Sequence, residues 1–304
     1  MIIDCYTHTW DSPAQIGGTG EPGERRYPPL PRLDDPNPAS ITKHLAATEP
    51  CDITIVVAFQ SEYLGVEVPN EAIGEYVRNH PDRLLGFAGI DPSRPRQAIA
   101  EMRYARDELD MPGIAVAPAA QDFHPTNSKA MLVYGEAAEL GMPILFHTGP
   151  QMTAATKLEY ARPVLLDEIA RELPDLKIII AHMGSPWVDE TMLLLAKHAN
   201  AYAEISWLLH QPWQAYHALL SASQYGVSDK LFFGSGFPYL TASCSIEAFY
   251  SINHLVHGTS FPTIPREQLR GIVERDALGA LGIDLPQPAV ARAEASSISE
   301  DEEL

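Results

Sequence analysis

Cysteine is scarce in this chain, with three in 304 residues, at positions 5, 51 and 244. That is too few and too scattered for a disulfide framework, which predicts a reducing, cytoplasmic setting. Basic residues are also in short supply: 21 Lys and Arg stand against 40 Asp and Glu, for a formal charge of −19. Nucleic acids and anionic membranes both call for a basic surface, so the balance argues against either as a partner. No apolar run approaches the roughly 20 residues of a membrane-spanning helix. The start, MIIDCYTHTW, lacks the basic region and apolar stretch of a signal peptide. A glycine-rich phosphate turn after the first strand, expected of an open dinucleotide-binding sheet, is missing too. What remains is a 45% hydrophobic chain, able to bury a large core and suited to a small-molecule partner.

The most informative stretch is 142–187. Two short Ile-rich runs, 143–146 and 177–181, read as strands buried on both faces. Between them Val164, Leu165, Ile169 and Leu173 fall at helical spacing, which predicts one helix. Strand, helix, strand makes a parallel unit, and each strand ends in histidine: His147 in FHTG and His182 in AHMG. Two imidazoles at equivalent strand ends share the rim where α/β sheets and barrels bind ligands.

The same alternation runs through the chain. Strands are predicted at 2–6, 53–59, 84–90, 113–116, 143–146, 177–181, 201–206 and 231–235. Helices are predicted at 40–48, 70–79, 93–109 (capped by Ser93), 129–140, 185–198 (Ser185 as cap, Pro186 first), 212–225, 246–257 and 265–281. Eight repeats of strand and helix predict an α/β fold, a (β/α)8 TIM barrel spanning 1–285 as a single domain. A Gly- and Pro-dense insertion at 11–38 follows the first strand, with Arg25 and Arg26 placed to meet a substrate carboxylate if it covers the mouth. Residues 286–304 read as a disordered acidic tail.

A barrel delivers strand ends to one mouth, where Tyr6, His8, Glu62, Asp91, His147, His182, Glu204, Ser206 and Ser235 become candidates. His8, His147 and His182 are three neutral imidazoles of the kind that bind zinc and leave a position for an activated water. Trp10, Trp187 and Trp207 follow three of the strands and are candidate pocket walls. Cys5, alternating with Tyr6, is expected to face the helices.

From IIDCYTH through GMPILFHTG, IIIAHMGSPW and LFFGSGFPY to IVERDALGALGI, the chain resembles the amidohydrolase-2 branch of the amidohydrolase superfamily. That is the group containing aminocarboxymuconate-semialdehyde decarboxylase. The resemblance implies a metal-dependent-hydrolase type barrel, a hydrolase or decarboxylase acting on a small carboxylated or lactone-type substrate, and a possible homodimer. It assigns His8 and His147 to metal and His182 to acid–base work. It also exposes two departures. The family opens with Asp-x-His-x-His, and Tyr6 occupies the first histidine's place. The family's Gly-Ser-Asp-x-Pro becomes GSGFP, with Gly236 in place of the aspartate. A phenol with a pKa near 10 replaces an imidazole poorly as a ligand. Zinc is therefore expected to be weakly held or absent. Three readings stand: a hydrolase or decarboxylase with a rearranged metal site; a metal-free enzyme, as in pyrone dicarboxylate lactonase, using Tyr6, His182 and Glu204; or a non-catalytic binding barrel.

Overall fold

A computed structural model describes residues 1–16, 37–149 and 154–285 of the protein. Eight parallel strands form one sheet: β1 (Ile3–Thr7), β2 (Ile53–Val57), then β5 (Leu84–Gly89), β6 (Gly113–Val116), β7 (Ile144–Phe146), β8 (Ile178–Ile180), β9 (Ala201–Glu204) and β10 (Leu231–Phe232). Each is short and buried on both faces, as Val- and Ile-rich runs between turn residues require. β3 (Phe59–Ser61) and β4 (Val66–Val68) form a separate antiparallel hairpin at the end of β2, which the predicted single strand 53–59 had absorbed.

The ladder runs in chain order from β1 to β10, and the ring closes between the two ends. Cys5 N–H donates to the Phe233 carbonyl at 2.9 Å, Gly236 N–H to Tyr6 at 3.0 Å and His8 N–H to Phe237 at 3.1 Å. Asp4 completes the seam, its Oδ1 accepting from Ser235 N–H at 2.8 Å. The architecture is the expected (β/α)8 TIM barrel.

Register explains one departure. Asp4 pairs with Thr54 but Thr7 pairs with Val56, so Cys5 and Tyr6 together oppose Ile55. This bulge turns two successive side chains inward. Cys5 accordingly packs with Tyr6, Ile55, Phe87, Ile179 and Phe232 in the barrel interior, not against the helices as alternation predicted.

The helices are α1 (Ile41–Ala47), α2 (Asn70–Arg78), α3 (Pro95–Asp107), α4 (Ser128–Glu139), α5 (Asp167–Glu172), α6 (Val188–Lys197), α7 (Pro212–Tyr225), α8 (Ala242–Tyr250), α9 (Arg266–Val273) and α10 (Ala277–Leu281). Several boundaries differ from expectation. Ser93 does not cap α3; its N–H turns back to Asp91, and Pro95, pre-set for a helix, opens the element. Ser185 and Pro186 precede α6, which starts at Val188, and their peptide is cis. The helix expected across Val164–Leu173 is broken into two 3-10 turns followed by α5, because Pro163 interrupts the backbone ladder. Val164 is left exposed. The single helix predicted at 265–281 is two, since Asp276 caps α10 by accepting from Gly279 N–H. Ala277, Leu278 and Leu281 of α10 pack on the interior group and close the barrel end remote from the histidines. No helix among the described residues is long and apolar enough to cross a membrane. The acidic tail and most of the insertion, including Arg25 and Arg26, lie outside the described residues.

Candidate active site

A cavity of about 140 Å³ lies at the C-terminal mouth, and His8, His147, His182 and Tyr6 all line it. The three imidazoles surround the phenol. Ring centroids of His8 and His182 are each 4.8 Å from that of Tyr6, His147 is 6.3 Å away, and His147 and His182 are 5.0 Å apart.

Hydrogen bonds fix the tautomers of two of these rings. His8 Nδ1 lies 2.8 Å from the Val57 carbonyl, which can only accept, so Nδ1 carries the hydrogen and Nε2 presents a lone pair. Burial pulls this ring from 6.5 down to about 4, against the opposing pull of the carbonyl bond, so His8 is neutral at pH 7. His182 Nδ1 lies 2.8 Å from Ser206 Oγ and 3.2 Å from Glu204 Oε1. Ser206 spends its one hydroxyl hydrogen on Glu204 Oε1 at 2.9 Å, so it accepts from His182 Nδ1–H. Both routes leave His182 Nε2 as the free basic atom, with no partner among the described residues.

Glu204 holds this arrangement from below. It is fully buried and also accepts the backbone N–H of His182 at 2.6 Å and of Ser206 at 2.7 Å. Those bonds secure an unusual backbone: His182 (φ 56°) and Met183 (φ 48°) are left-handed, and Trp207 has φ 67°. Non-glycine residues held so cost on the order of 1–3 kcal/mol each and persist only where the surroundings over-determine them. Glu204 does not line the cavity. It therefore positions His182 rather than touching a ligand, which corrects its assignment as a directly catalytic group.

Opposite this polar cluster, Tyr6 OH and His147 Nδ1 are joined at 2.7 Å. Burial drives the Tyr6 hydroxyl well above its ordinary 10, with the Glu204 charge adding to the effect, so the phenol stays protonated. The rest of the wall is apolar: Val57, Phe59, Leu64, Val116, Ala120 and Leu145, with Trp10 and Trp207 at its margin. Trp187 is half-buried ahead of α6 and is not on this wall. Ser235 is buried at the seam. Glu62 and Asp91 line a separate groove of about 350 Å³ with Arg94, which pairs with Glu62. Tyr239 joins the cavity wall without having been singled out; it follows a short eighth strand, beyond the reach of periodicity.

The dication implied by the resemblance does not fit this donor set. The described residues contain no group of three His, Cys, Asp or Glu side chains placed to hold a metal ion. His147 Nδ1 is occupied by the phenol that stands where the family has a ligand. Gly236 supplies no carboxylate, and a Cβ there would lie 3.2 Å from Ser206 Cβ, in a left-handed backbone with φ 73°. His8 and His147 share a cavity, but no third donor joins them.

Among solved structures, an uncharacterised TIM-barrel protein from Bordetella bronchiseptica is similar at a TM-score of 0.71 and 19% identity, covering 92% of this chain and 99% of that one. A probable 2-pyrone-4,6-dicarboxylic acid hydrolase from Acinetobacter baumannii, with citric acid bound, gives 0.62 and 17%, covering 93% and 99%. A dihydroxybenzoic acid decarboxylase from Polaromonas, with manganese and the inhibitor 2-nitroresorcinol, gives 0.63 and 15%, covering 92% and 96%. A search of curated proteins finds no match. These likenesses show the fold; ancestry rests on a family profile described as amidohydrolase, which matches residues 3–282. The chain belongs to the amidohydrolase-2 family.

Proposed function

We propose that this protein is a hydrolase that cleaves the ester or lactone bond of a small carbonyl compound without a resident metal ion. The observation that carries the reading is the Glu204–Ser206–His182 chain, which leaves His182 Nε2 as a base on the cavity wall. In this reading His182 Nε2 takes a proton from water as the water oxygen attacks the carbonyl carbon. Tyr6 supplies the electrophilic side. With His147 donating Nδ1–H to the phenol oxygen, the phenolic hydrogen is free to be donated to the oxyanion. The tetrahedral intermediate collapses with cleavage of the C–O bond, and His182 returns its proton to the leaving alkoxide. Among the neighbours, the pyrone dicarboxylic acid hydrolase is of the reaction class this reading assigns, while the manganese-holding decarboxylase is the runner-up class.

The test is turnover of dihydrocoumarin and phenyl acetate by protein dialysed against a strong chelator, beside His182→Gln. The expected result is hydrolysis that resists the chelator and is lost in the variant. Activity that vanishes with chelation and returns with manganese or zinc would overturn the metal-free reading. Ring binding without turnover of any ester would favour the non-catalytic barrel.

A further inference from the structure

The cavity's chemistry narrows its ligand further than a reaction class does, and the narrowing rests on the placement of the binding site just proposed. Three observations bear on it. First, the described residues on the wall include no Lys, Arg, Asp or Glu. The nearest fixed charge is the buried Glu204 carboxylate behind His182, which repels an anion. Taking a carboxylate out of water without a counter-charge is prohibitive on this scale. Second, the space of about 140 Å³ matches the dry, apolar cavity of roughly 150 Å³ that holds one benzene. Third, Trp10, only 5% exposed and part of this wall, has a buried indole Nε1–H with no hydrogen-bond acceptor. Its backbone N–H is already satisfied by the Ala39 carbonyl at 3.2 Å, so the orphan is the side chain alone. A buried donor left unpaired costs about 1–3 kcal/mol, and such groups in native proteins call for an explanation.

We infer that the site takes an uncharged, single-ring compound bearing a carbonyl-type oxygen, and that Trp10 Nε1–H is the donor that recognises that oxygen. The dry wall selects against carboxylates, and the indole N–H selects against hydrocarbons of the same shape. Trp10 is thus a specificity-determining residue. It sets what enters, whereas His182 acts on what has entered.

Binding of three matched probes, measured by calorimetry or ligand-observed NMR, tests this without turnover: acetophenone, ethylbenzene and benzoate. On the unmodified full chain, acetophenone is expected to bind about tenfold more tightly than benzoate. Trp10→Phe keeps a ring in place but removes the donor. It should weaken acetophenone about fivefold and leave ethylbenzene within about twofold. The ratio within one preparation is insensitive to a partly unfolded sample, and circular dichroism checks the variant's fold. Benzoate binding as tightly as acetophenone would overturn the inference. So would equal losses of acetophenone and ethylbenzene in the variant, or no binding of any probe. His182→Gln separates the two proposals. If its binding pattern matches the unmodified protein and neither form hydrolyses esters, the hydrolase reading fails while the ligand class stands.

Discussion

The two walls of the mouth are built on opposite plans. On the β8–β9 side, one buried carboxylate takes three hydrogen bonds, two non-glycine residues in succession adopt left-handed backbone, and an imidazole is fixed in one tautomer. On the β2–β6 side, the wall is Val57, Phe59, Leu64, Val116 and Ala120, with no polar side chain among those five. The polar wall fixes an atom in place; the apolar wall fixes a volume and keeps it dry. A low-dielectric enclosure strengthens every polar interaction made inside it, so the second wall makes the first more effective.

Substitutions that strike one wall and spare the other test this division. The largest effect is expected for His182→Gln, a fall of roughly 10³-fold in kcat, within the usual span for general acid–base groups, with acetophenone binding changed less than about twofold. Equal losses in binding and rate would mean that the imidazole merely shapes the pocket. Glu204→Gln comes next, lowering kcat roughly 10- to 100-fold. Its amide nitrogen confronts N–H donors, so His182 loses its fixed tautomer and the pH profile of kcat should move, a shift that mere loosening of the fold does not produce. Ser206→Ala should cost less, roughly tenfold, because His182 Nδ1 already stands 3.2 Å from Glu204 Oε1.

A third prediction concerns the support beneath the mouth rather than its rim. His44 of α1, fully buried, bonds Thr7 Oγ1 at 2.9 Å and Tyr76 OH at 2.8 Å. Thr7 donates its own hydroxyl to the Ile55 carbonyl, so the bulged strand that carries Tyr6 and His8 is braced from behind. Burial pulls His44 from 6.5 down to about 3, with His8 adding a smaller push in the same direction. A depressed folded pKa means that the unfolded chain binds the proton first. The stabilisation is complete above about pH 6.5 and is lost as pH falls toward 3. Between pH 7.5 and 5 the loss from His44 is about 2 kcal/mol. His44→Leu should flatten the acid side of the urea-unfolding profile by that amount, while lowering stability at pH 7.5 by about 1–3 kcal/mol through the orphaned Thr7 and Tyr76 groups. An unchanged pH slope would refute the assignment.

The smallest effect is expected at the place of the family's missing ligands. Tyr6→His with Gly236→Asp restores the family's residue types, yet after dialysis the protein should carry well under one zinc per chain by elemental analysis. Stoichiometric zinc in that double variant would show that the pocket has kept metal geometry after all.

Much of the fold was readable because its signals are local. Short apolar runs between Gly and Pro turns marked seven of the eight barrel strands to within about two residues, and the histidines at 147 and 182 identified the mouth. The eighth strand was placed correctly but proved only two residues long. What escaped depends on pairing between distant segments. The bulge at Cys5 and Tyr6 has no signature in periodicity, since it is defined by Thr54, Ile55 and Val56 on another strand. The β3–β4 hairpin was hidden because the apolar run continues through Ala58 into Phe59. Glu204 and Ser206, two residues apart at one strand end, were visible as candidates. Their hydrogen-bond order, and so the difference between touching a ligand and steering His182, emerges only from coordinates. His44 gave no signal at all, being one polar residue on an amphipathic helix.

Gly236 bears on the order in which mutations can accumulate. With its left-handed φ and only 3.2 Å between the site of a new Cβ and Ser206 Cβ, position 236 accepts a side chain only after position 206 retreats. Ser206 in turn lies between Glu204 and His182, so its retreat disconnects them before any carboxylate arrives to replace their work. Every single-step route back to the family's residues thus passes through a protein lacking both arrangements. The barrel can drift onward from its present mouth more readily than it can return.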